Sequence, residues 1–243
     1  MKLNAYIAHA GVCSRRKAAV LVKDGKVRLN GKIVIEPWIE ISNDDRVLVN
    51  NRPVLTARFV YIVFNKPRGV TTTLEDKFAE KMVIDFIPQD LGRVYPVGRL
   101  DKDSRGLLIL TNDGDLCHKL THPRFEVEKE YDILIKGSVE EQTVKGLARG
   151  VIDGKEHLAV KSARIVPMGK GGTLIKAIIC DGKKRHIRRL FERFGLEVKD
   201  LKRVRIGGLK LGDLKTGNFR VIERKKMYGF FPDLSLYPSR PCA

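Results

Sequence analysis

The chain has 243 residues, of which 43% are hydrophobic, and this is enough for one or two domains with a buried core. Lys and Arg number 47 against 29 Asp and Glu, which gives a formal net charge of +18. No apolar run approaches the ~20 residues that span a bilayer, so we expect no membrane segment. The four cysteines are widely separated, and the N-terminal residues lack the apolar core of an export signal. These features argue against a metal site and favour a reducing cytoplasm.

The positive charge is concentrated in two parts of the chain. Residues 181–226 contain 16 basic and 6 acidic residues, and residues 1–57 contain 10 and 5. Clustering of like charges costs self-repulsion that solubility alone does not require. The pattern therefore favours contact with a polyanion at two places. The alternative is a solvated basic surface that has no partner.

Residues 1–55 are predicted to form a small N-terminal domain. Its pattern predicts a helix over residues 3–10 and a second helix that begins after Ser14, a favourable N-cap. Asn30-Gly31 then predicts a tight hairpin between two short strands. Arg52-Pro53 is interpreted as the start of a linker.

Three basic residues, Arg15, Arg16 and Lys17, occupy the first turn of the second helix. The helix dipole disfavours positive charge there by roughly 0.3–1 kcal/mol per residue. A phosphate would remove this conflict, because it accepts hydrogen bonds from the free backbone amides and from the side chains. The alternative is that the three side chains simply project into solvent. Two helices, an Asn-Gly hairpin and the SRRKA helix start together resemble the S4-type RNA-binding domain, which implies RNA binding.

Residues 58–226 alternate strand-like apolar runs with turns, and two stretches, 138–150 and 185–195, have helical periodicity. This pattern indicates an α+β domain with a large, mainly antiparallel mixed sheet. Residues 227–243 are predicted to form an irregular C-terminal tail.

The stretch GRLDKDSRGLLILTNDGD, residues 98–115, places Asp101 between two strand-like runs. One interpretation is a simple turn residue, since Asp and Gly are common in turns. A match to an EF-hand calcium loop fails at Arg105 and at Asn112, where calcium ligands belong. The third interpretation is a single carboxylate at the edge of a sheet, facing a basic cleft.

The predicted helix over residues 185–195 has two contrasting faces. The apolar face consists of Ile187, Leu190, Phe191 and Phe194, spaced as a core-facing stripe. The opposite face carries Arg185, Arg188, Arg189 and Arg193. Like charges at this spacing destabilise a helix, and arginine binds phosphate or carboxylate through two parallel hydrogen bonds. We therefore predict an anion-binding face; the alternative is a solvated one.

The motifs GRLDKDSRGLLILTNDGDL, KEY, DGKKRHIRRLFERFG and LKRVRIGGLKLGDLKTGNFRVI follow the N-terminal domain in this order. Together they closely resemble the RsuA/RluB/RluF family of ribosomal RNA pseudouridine synthases, and the resemblance extends to about residue 224. It implies that Asp101 is the catalytic aspartate, that Tyr131 packs on the target base, and that Arg188 pairs with Asp101. It further implies RNA contacts from Arg99, Leu100, Arg185, Arg189, Arg203 and Arg205. His186 departs from the Gln or Glu common at its position, which bears on substrate choice.

Such an enzyme isomerises uridine to pseudouridine and needs no cofactor and no metal. The target base must leave its stack, and one ionised carboxylate acts either as nucleophile at C1′ or as base on the ribose. We expect a cytoplasmic monomer that acts on ribosomal RNA or on pre-ribosomal particles, and the resemblance favours a hairpin of 23S rRNA as the target. The alternatives are a small-subunit target or a non-catalytic RNA-binding assembly factor. A nucleoside hydrolase is disfavoured, because no second motif-borne carboxylate is present.

Overall fold

A computed structural model describes residues 1–42, 44–168 and 172–235. The N-terminal domain begins with two helices, α1 (Leu3–His9) and α2 (Arg15–Lys23). Four short strands follow: β1 (Val27–Leu29), β2 (Lys32–Ile33), β3 (Val47–Val49) and β4 (Arg52–Pro53). They form an antiparallel sheet in the order β2-β1-β3-β4. Apolar side chains from both helices and from the sheet form one core, which includes Leu3, Ile7, Val22, Val27 and Val47.

The local signals in this domain act as predicted, with one exception. Ser14 Oγ accepts a hydrogen bond from the Lys17 amide at 3.2 Å and so caps α2. Asn30 and Gly31 have φ values of 51° and 84°, which a two-residue hairpin turn of this kind requires. The linker interpretation of Arg52-Pro53 is wrong. These residues form β4, because their pairing with β3 brings the following Val54 into the core.

The larger region contains the remaining strands and helices. Its strands are β5 (Tyr61–Lys66), β6 (Tyr95–Pro96), β7 (Arg105–Thr111), β8 (Lys129–Ile135), β9 (Val151–Asp153), β10 (Glu156–Leu158), β11 (Ser162–Val166), β12 (Thr173–Ile179), β13 (Val198–Ile206), β14 (Leu209–Lys210) and β15 (Phe219–Val221). Its helices are α3 (Gly114–Thr121), α4 (Glu141–Arg149), α5 (His186–Arg193), α6 (Arg224–Gly229) and α7 (Pro232–Ser235). The two helices predicted from periodicity correspond to α4 and α5. Helix α3 was not predicted.

Nine of these strands form one sheet within the described residues, in the order β11-β12-β8-β13-β7-β5-β15, with β6 beside β7 and β14 beside β13. Every pairing is antiparallel except that of β13 with β7, which is parallel. The predicted α+β fold with a mainly antiparallel mixed sheet is therefore confirmed. Strands β9 and β10 form a separate hairpin.

The sheet is covered by helices whose apolar residues meet its alternating side chains. Leu116 of α3 packs in the same cluster as Tyr61 and Val63 of β5, whereas Leu190 of α5 packs with Ile133 of β8 in a second cluster.

The C-terminal segment differs from the prediction of an irregular tail after residue 226. Residues 224–229 and 232–235 are helical, and Met227, Phe231 and Leu234 are buried in the cluster that contains α3. The burial of these three apolar side chains orders a segment whose Pro and Phe residues have no clear periodicity. The rest of the predicted tail, residues 236–243, lies outside the described residues.

Side chains of both domains meet at their boundary. Arg93 Nη1 donates a hydrogen bond to the Cys13 carbonyl at 3.1 Å, and His9 Nδ1 lies 3.3 Å from the carbonyl oxygen of Asn112.

None of the helices within the described ranges has the length and apolarity needed to cross a lipid bilayer.

Candidate active site

A cleft of about 260 Å³ lies between the loop that precedes β7 and the first turn of α5. Asp101, Tyr131 and Arg188 all line this cleft, although they come from a loop, a strand and a helix that are distant in the sequence. The structure therefore brings the three residues predicted for the chemistry into one site. Four of the predicted RNA contacts line it as well: Arg99, Leu100, Arg185 and Arg203.

A buried lysine, Lys66, holds the backbone of the loop that carries Asp101. Lys66 Nζ donates hydrogen bonds to the carbonyls of Pro67, Asp101 and Ser104 at 3.1, 3.1 and 2.7 Å. Lys66 is fully buried, and burial lowers its pKa to about 8, although Asp101 and Asp103 favour its charged form. A lysine is required here because only its ammonium group has three donors on a thin, flexible stem.

The hydroxyl of Thr72 hydrogen-bonds to both the backbone amide and the backbone carbonyl of Leu100. Thr72 Oγ1 accepts from the Leu100 amide at 3.3 Å and donates to the Leu100 carbonyl at 2.6 Å. Leu100 is buried in the cluster that contains Tyr131, while the side chain of Arg99 is exposed at the cleft. Leu100 thus acts as part of the wall, and Arg99 is the residue of this pair that is accessible to RNA.

Tyr131 lies in the middle of β8, opposite Ala177 of β12 and Arg203 of β13. Arg203 is only 4% exposed, and its Nε donates to the Leu107 carbonyl at 2.7 Å. Its Nη1 lies 3.4 Å from the hydroxyl oxygen of Tyr131. Arg203 therefore supports Tyr131 from inside the sheet, and it is not placed at the surface to bind a phosphate as the sequence had suggested.

Arg188 makes its direct ion pair with Asp103 rather than with Asp101. Its Nε lies 3.0 Å from Asp103 Oδ2, and its Nη2 donates to the Asp103 carbonyl at 3.2 Å. Burial lowers the pKa of Arg188, whereas the charges of Asp103 and, to a smaller extent, Asp101 oppose that effect. Arg188 thus interacts with Asp101 only through the field of the cleft, because its guanidinium nitrogens are bound to Asp103, two residues further along the same loop, and to the Val198 carbonyl.

The arginine face of α5 is largely occupied by carboxylates. Arg189 pairs with Asp153 and Glu156 on the β9–β10 hairpin, both at 2.6 Å, and Arg193 also pairs with Asp153. Arg185, at the start of the helix, remains at the cleft, where its Nη1 lies 3.3 Å from Asp103 Oδ1. The predicted anion-binding face is therefore wrong for Arg189 and Arg193, since they fasten the hairpin to the helix.

Arg205 is occupied in the same way. Its Nε lies 2.8 Å from Glu130 Oε2, and its Nη2 lies 3.0 Å from Glu128 Oε2. Arg205 is also absent from the residues that line the cleft. To contact RNA as predicted, Arg205 would have to give up its ion pairs with Glu128 and Glu130.

The basic residues at the start of α2 are in the place that the sequence predicted. Arg15, Arg16 and Lys17 are all exposed, and Lys17 Nζ lies 3.4 Å from Glu75 Oε2 of the larger domain. An exposed pair of this kind contributes little to stability. The side chains of Arg15 and Arg16 are consequently available to an incoming phosphate.

The cleft residues that were missed as site residues include Lys129, Asp181 and His186. His186 Nδ1 makes a short hydrogen bond with Asp181 Oδ1. Lys129 Nζ donates to the carbonyls of Val127 and Cys180 at 2.8 and 3.2 Å, and burial lowers its pKa to about 8. The signal for Lys129 was its position two residues before Tyr131, on the same face of a strand. Asp181 had no signal beyond its place directly after β12.

The comparisons with known proteins agree with this geometry. The family model described as RNA pseudouridylate synthase matches residues 60–193, and the S4 domain model matches residues 1–37. The chain is 40% identical to the ribosomal large subunit pseudouridine synthase B of Bacillus subtilis over 221 residues, which cover 90% of this chain and 91% of that protein. An uncharacterized RNA pseudouridine synthase of Aquifex aeolicus is 35% identical over 97% of this chain and 96% of its own length.

A solved structure gives the same result at the level of the whole fold. A crystal structure of a pseudouridylate synthase superimposes with a TM-score of 0.65 at 26% identity, covering 95% of this chain and 99% of that one. The family model matches more than half of the chain. The chain belongs to the RNA pseudouridine synthase family and is an isomerase that acts on RNA, with an S4 domain at its N-terminus.

Proposed function

We propose that this enzyme converts a uridine of large-subunit ribosomal RNA to pseudouridine, with Asp101 as the catalytic carboxylate. The observation that carries the proposal is that Asp101, Tyr131 and Arg188 line one cleft, and that the loop of Asp101 is held by Lys66. The choice of large-subunit RNA rests on the relative from Bacillus subtilis, whose name includes that substrate.

The isomerisation changes only two bonds at the sugar and one proton on the base. The N1–C1′ bond breaks, the uracil rotates within the cleft, and a C5–C1′ bond forms. C5 loses its proton and N1 gains one, so the reaction involves no net oxidation and no net hydrolysis. Asp101 acts either as the nucleophile at C1′ or as a base on the ribose, and the confined cleft keeps the detached base beside the sugar.

The cleft supplies the other requirements of this reaction. Because uridine atoms are inaccessible within a stack, the target nucleotide must be extruded from the RNA. The ring of Tyr131, supported by the buried Arg203, provides a flat surface for the extruded uracil. Arg99 and Arg185 at the cleft are placed to hold the flanking phosphates, which would keep the sugar in register with Asp101.

The first test is pseudouridine mapping by carbodiimide modification and primer extension. Ribosomal RNA from both subunits, naked and in particles, is incubated with the wild-type protein and with Asp101→Asn. The matched control is Asp103→Asn, which makes the same change two residues away in the same loop. We expect a new stop with the wild type, no stop with Asp101→Asn, and a weaker stop with Asp103→Asn, because Arg188 would be less well held. Wild-type activity in Asp101→Asn would refute the assignment.

A second test separates RNA binding from chemistry. Arg15→Glu combined with Arg16→Glu reverses two charges at the start of α2, and Lys23→Glu with Lys26→Glu makes the same charge change at its other end. We expect the first pair to weaken RNA binding far more than the second, and to flatten the salt dependence of binding. Single-turnover rates at saturating RNA should be unchanged in both. A large rate loss in the first pair would show that the S4 domain also positions the target nucleotide.

A further inference from the structure

The two domains of the chain meet through polar contacts and not through a shared hydrophobic core. Within the described residues, none of the four clusters of buried apolar side chains includes residues of both domains. The domains instead border a groove of about 660 Å³, which is lined by Cys13 and Ser14 on one side and by Glu75 and Arg93 on the other. Domains that share a small, polar interface move relative to each other by default. The position of the S4 domain therefore depends on a few individual side chains.

Arg93 makes the first of these contacts. Its Nη1 donates to the Cys13 carbonyl at 3.1 Å, in the turn between α1 and α2. Cys13 directly precedes Ser14, the N-cap of α2, so this hydrogen bond holds the backbone where the helix begins. Arg93 is partly buried, and its guanidinium group is permanently charged, which makes the hydrogen bond stronger than one between neutral groups.

His9, in the last turn of α1, makes the second contact. The centroid of its ring lies 4.5 Å from that of Phe59, and its Nδ1 lies 3.3 Å from the carbonyl oxygen of Asn112. The ion pair between Lys17 and Glu75 also crosses the boundary, but its two side chains are 68% and 80% exposed and it contributes little. Arg93 and His9 are therefore the stronger attachments.

The segment that begins at Arg93 leads directly to the cleft. It continues through β6 (Tyr95–Pro96), and Gly98 and Arg99 line the cleft. Because an extended chain advances at most about 3.5 Å per residue, Arg99 lies within about 21 Å of Arg93, the length of about six stacked nucleotides. Burial raises the pKa of Tyr95, and the charges of Arg15 and Arg93 oppose this rise, which agrees with a position of Arg15 close to β6. The basic start of α2 and the cleft are thus near enough to share one short RNA.

We infer that Arg93 and His9 are positioning residues: they fix the S4 domain beside the cleft, so that one RNA binds the basic start of α2 and the cleft together. Binding at the second region is then intramolecular, and its gain depends on how well the spacing of the two regions is fixed. A domain that is held in place before the RNA arrives loses less conformational freedom on binding. Only an RNA long enough to reach from the cleft to α2 obtains this gain. The inference rests on the proposed function of the cleft.

The test compares two RNAs that carry the same target uridine, identified by the mapping experiment. One is a short hairpin that fills only the cleft, and the other continues its stem far enough to reach α2. kcat and KM are measured for both RNAs with the wild type, Arg93→Ala and Arg93→Lys. The matched control is Arg164→Ala, which removes an exposed arginine from β11 at the edge of the sheet.

We expect the wild type to have a lower KM for the longer RNA. Arg93→Ala should reduce this advantage about 5-fold or more, while kcat and the KM for the short hairpin stay unchanged. Arg93→Lys, whose ammonium group can still donate to the Cys13 carbonyl, should keep part of the advantage, and Arg164→Ala should keep all of it. His9→Ala should reduce the advantage as well, because it removes the contacts with Phe59 and Asn112.

A combined variant separates positioning from direct contact with the RNA. Arg15→Glu with Arg16→Glu removes the phosphate-binding start of α2, so the position of the S4 domain no longer affects binding. Arg93→Ala added to this pair should therefore leave the KM for the longer RNA unchanged. A further increase in KM would mean that Arg93 contacts the RNA or supports the cleft itself, and the inference would be wrong.

The outcomes also separate this inference from the proposed function. If the wild type modifies neither RNA and the mapping finds no site that depends on Asp101, the proposed function fails. If the wild type modifies both RNAs with equal KM, or if Arg93→Ala and His9→Ala keep the full advantage of the longer RNA, the proposed function stands and the inference is wrong. If Arg93→Ala fails to fold, as judged by its Tm, an unchanged advantage in His9→Ala overturns the inference in its place.

Discussion

Asp113 connects the start of α3 to two tyrosines, and its replacement by Ala tests how the fold holds this helix. Asp113 is 3% exposed. Its Oδ1 accepts from the amides of Asp115 and Leu116, both at 3.1 Å, and its Oδ2 accepts from the hydroxyls of Tyr61 and Tyr228 at 2.7 and 2.8 Å. One carboxylate therefore caps a helix and joins β5 to α6.

The expected loss follows from these contacts. Removing an N-cap of this type costs about 1 kcal/mol, and each hydrogen bond to a charged group contributes about 1.5–3 kcal/mol. Asp113→Ala should thus lower the free energy of unfolding by about 4–7 kcal/mol, which is comparable with the total stability of many domains. Tyr228→Phe, which removes one of the four hydrogen bonds, should lower it by about 1.5–3 kcal/mol.

Urea denaturation followed by circular dichroism measures both variants, with Asp90→Ala as the control. The side chain of Asp90 is exposed, so its loss should change stability by less than about 1 kcal/mol. A loss of under about 2 kcal/mol in Asp113→Ala would refute the reasoning, because it would mean that water replaces the carboxylate at the two tyrosines.

Three further predictions concern other parts of the molecule. Gly106→Ala should destabilise the protein by about 3 kcal/mol or more, because φ is +104° at this position and a Cβ would overlap the backbone of Arg203 on β13. The midpoint of urea denaturation measures this loss, and a midpoint equal to that of the wild type would contradict the prediction. Burial lowers the pKa of Lys66 and Lys129 from 10.5 to about 8, so the folded state binds fewer protons than the unfolded chain in this range. Their contribution to the free energy of unfolding should therefore increase from pH 8 to pH 10.5, and Lys66→Met should flatten that rise. Phe78, at 95% exposure, should bind RNA by stacking: Phe78→Ala should leave Tm unchanged but weaken RNA binding about 5-fold or more, and Phe78→Trp should restore it. Equal affinity of all three proteins for the RNA hairpin would exclude that role.

The fold was predictable from the sequence wherever a local signal was sufficient. The Asn30-Gly31 turn and the apolar stripe of α5 act through nearest neighbours, and both were predicted correctly. Helix α3 was missed because Asp113, which caps it, also fits a turn after a strand. Helices α6 and α7 were missed because their order depends on packing of Met227 and Phe231 against distant strands.

The site was predictable in its main members but not in its pairings. Sequence motifs marked Asp101, Tyr131 and Arg188, and all three line the cleft. The partner of an arginine, however, depends on which carboxylate the fold brings within reach. Asp153 lies 36 residues from Arg189 in the sequence, and no local pattern indicated that the two would form an ion pair. Charge counts alone therefore overstated the number of arginines that are free to bind RNA.

The parallel pairing of β13 with β7 also determines when the cleft can exist during synthesis of the protein. Lys202 of β13 lies opposite Arg105 of β7, and Arg203 of β13 lies opposite Tyr131 of β8, so the cleft needs segments that emerge from the ribosome almost 100 residues apart. Such non-local contacts form late, because closing a long loop must precede the contacts that stabilise it. A nascent chain that ends before β13 has its S4 domain and the loop of Asp101 but no enclosed cleft. The S4 domain of the newly made protein is thus in place before the cleft in which the RNA would be modified.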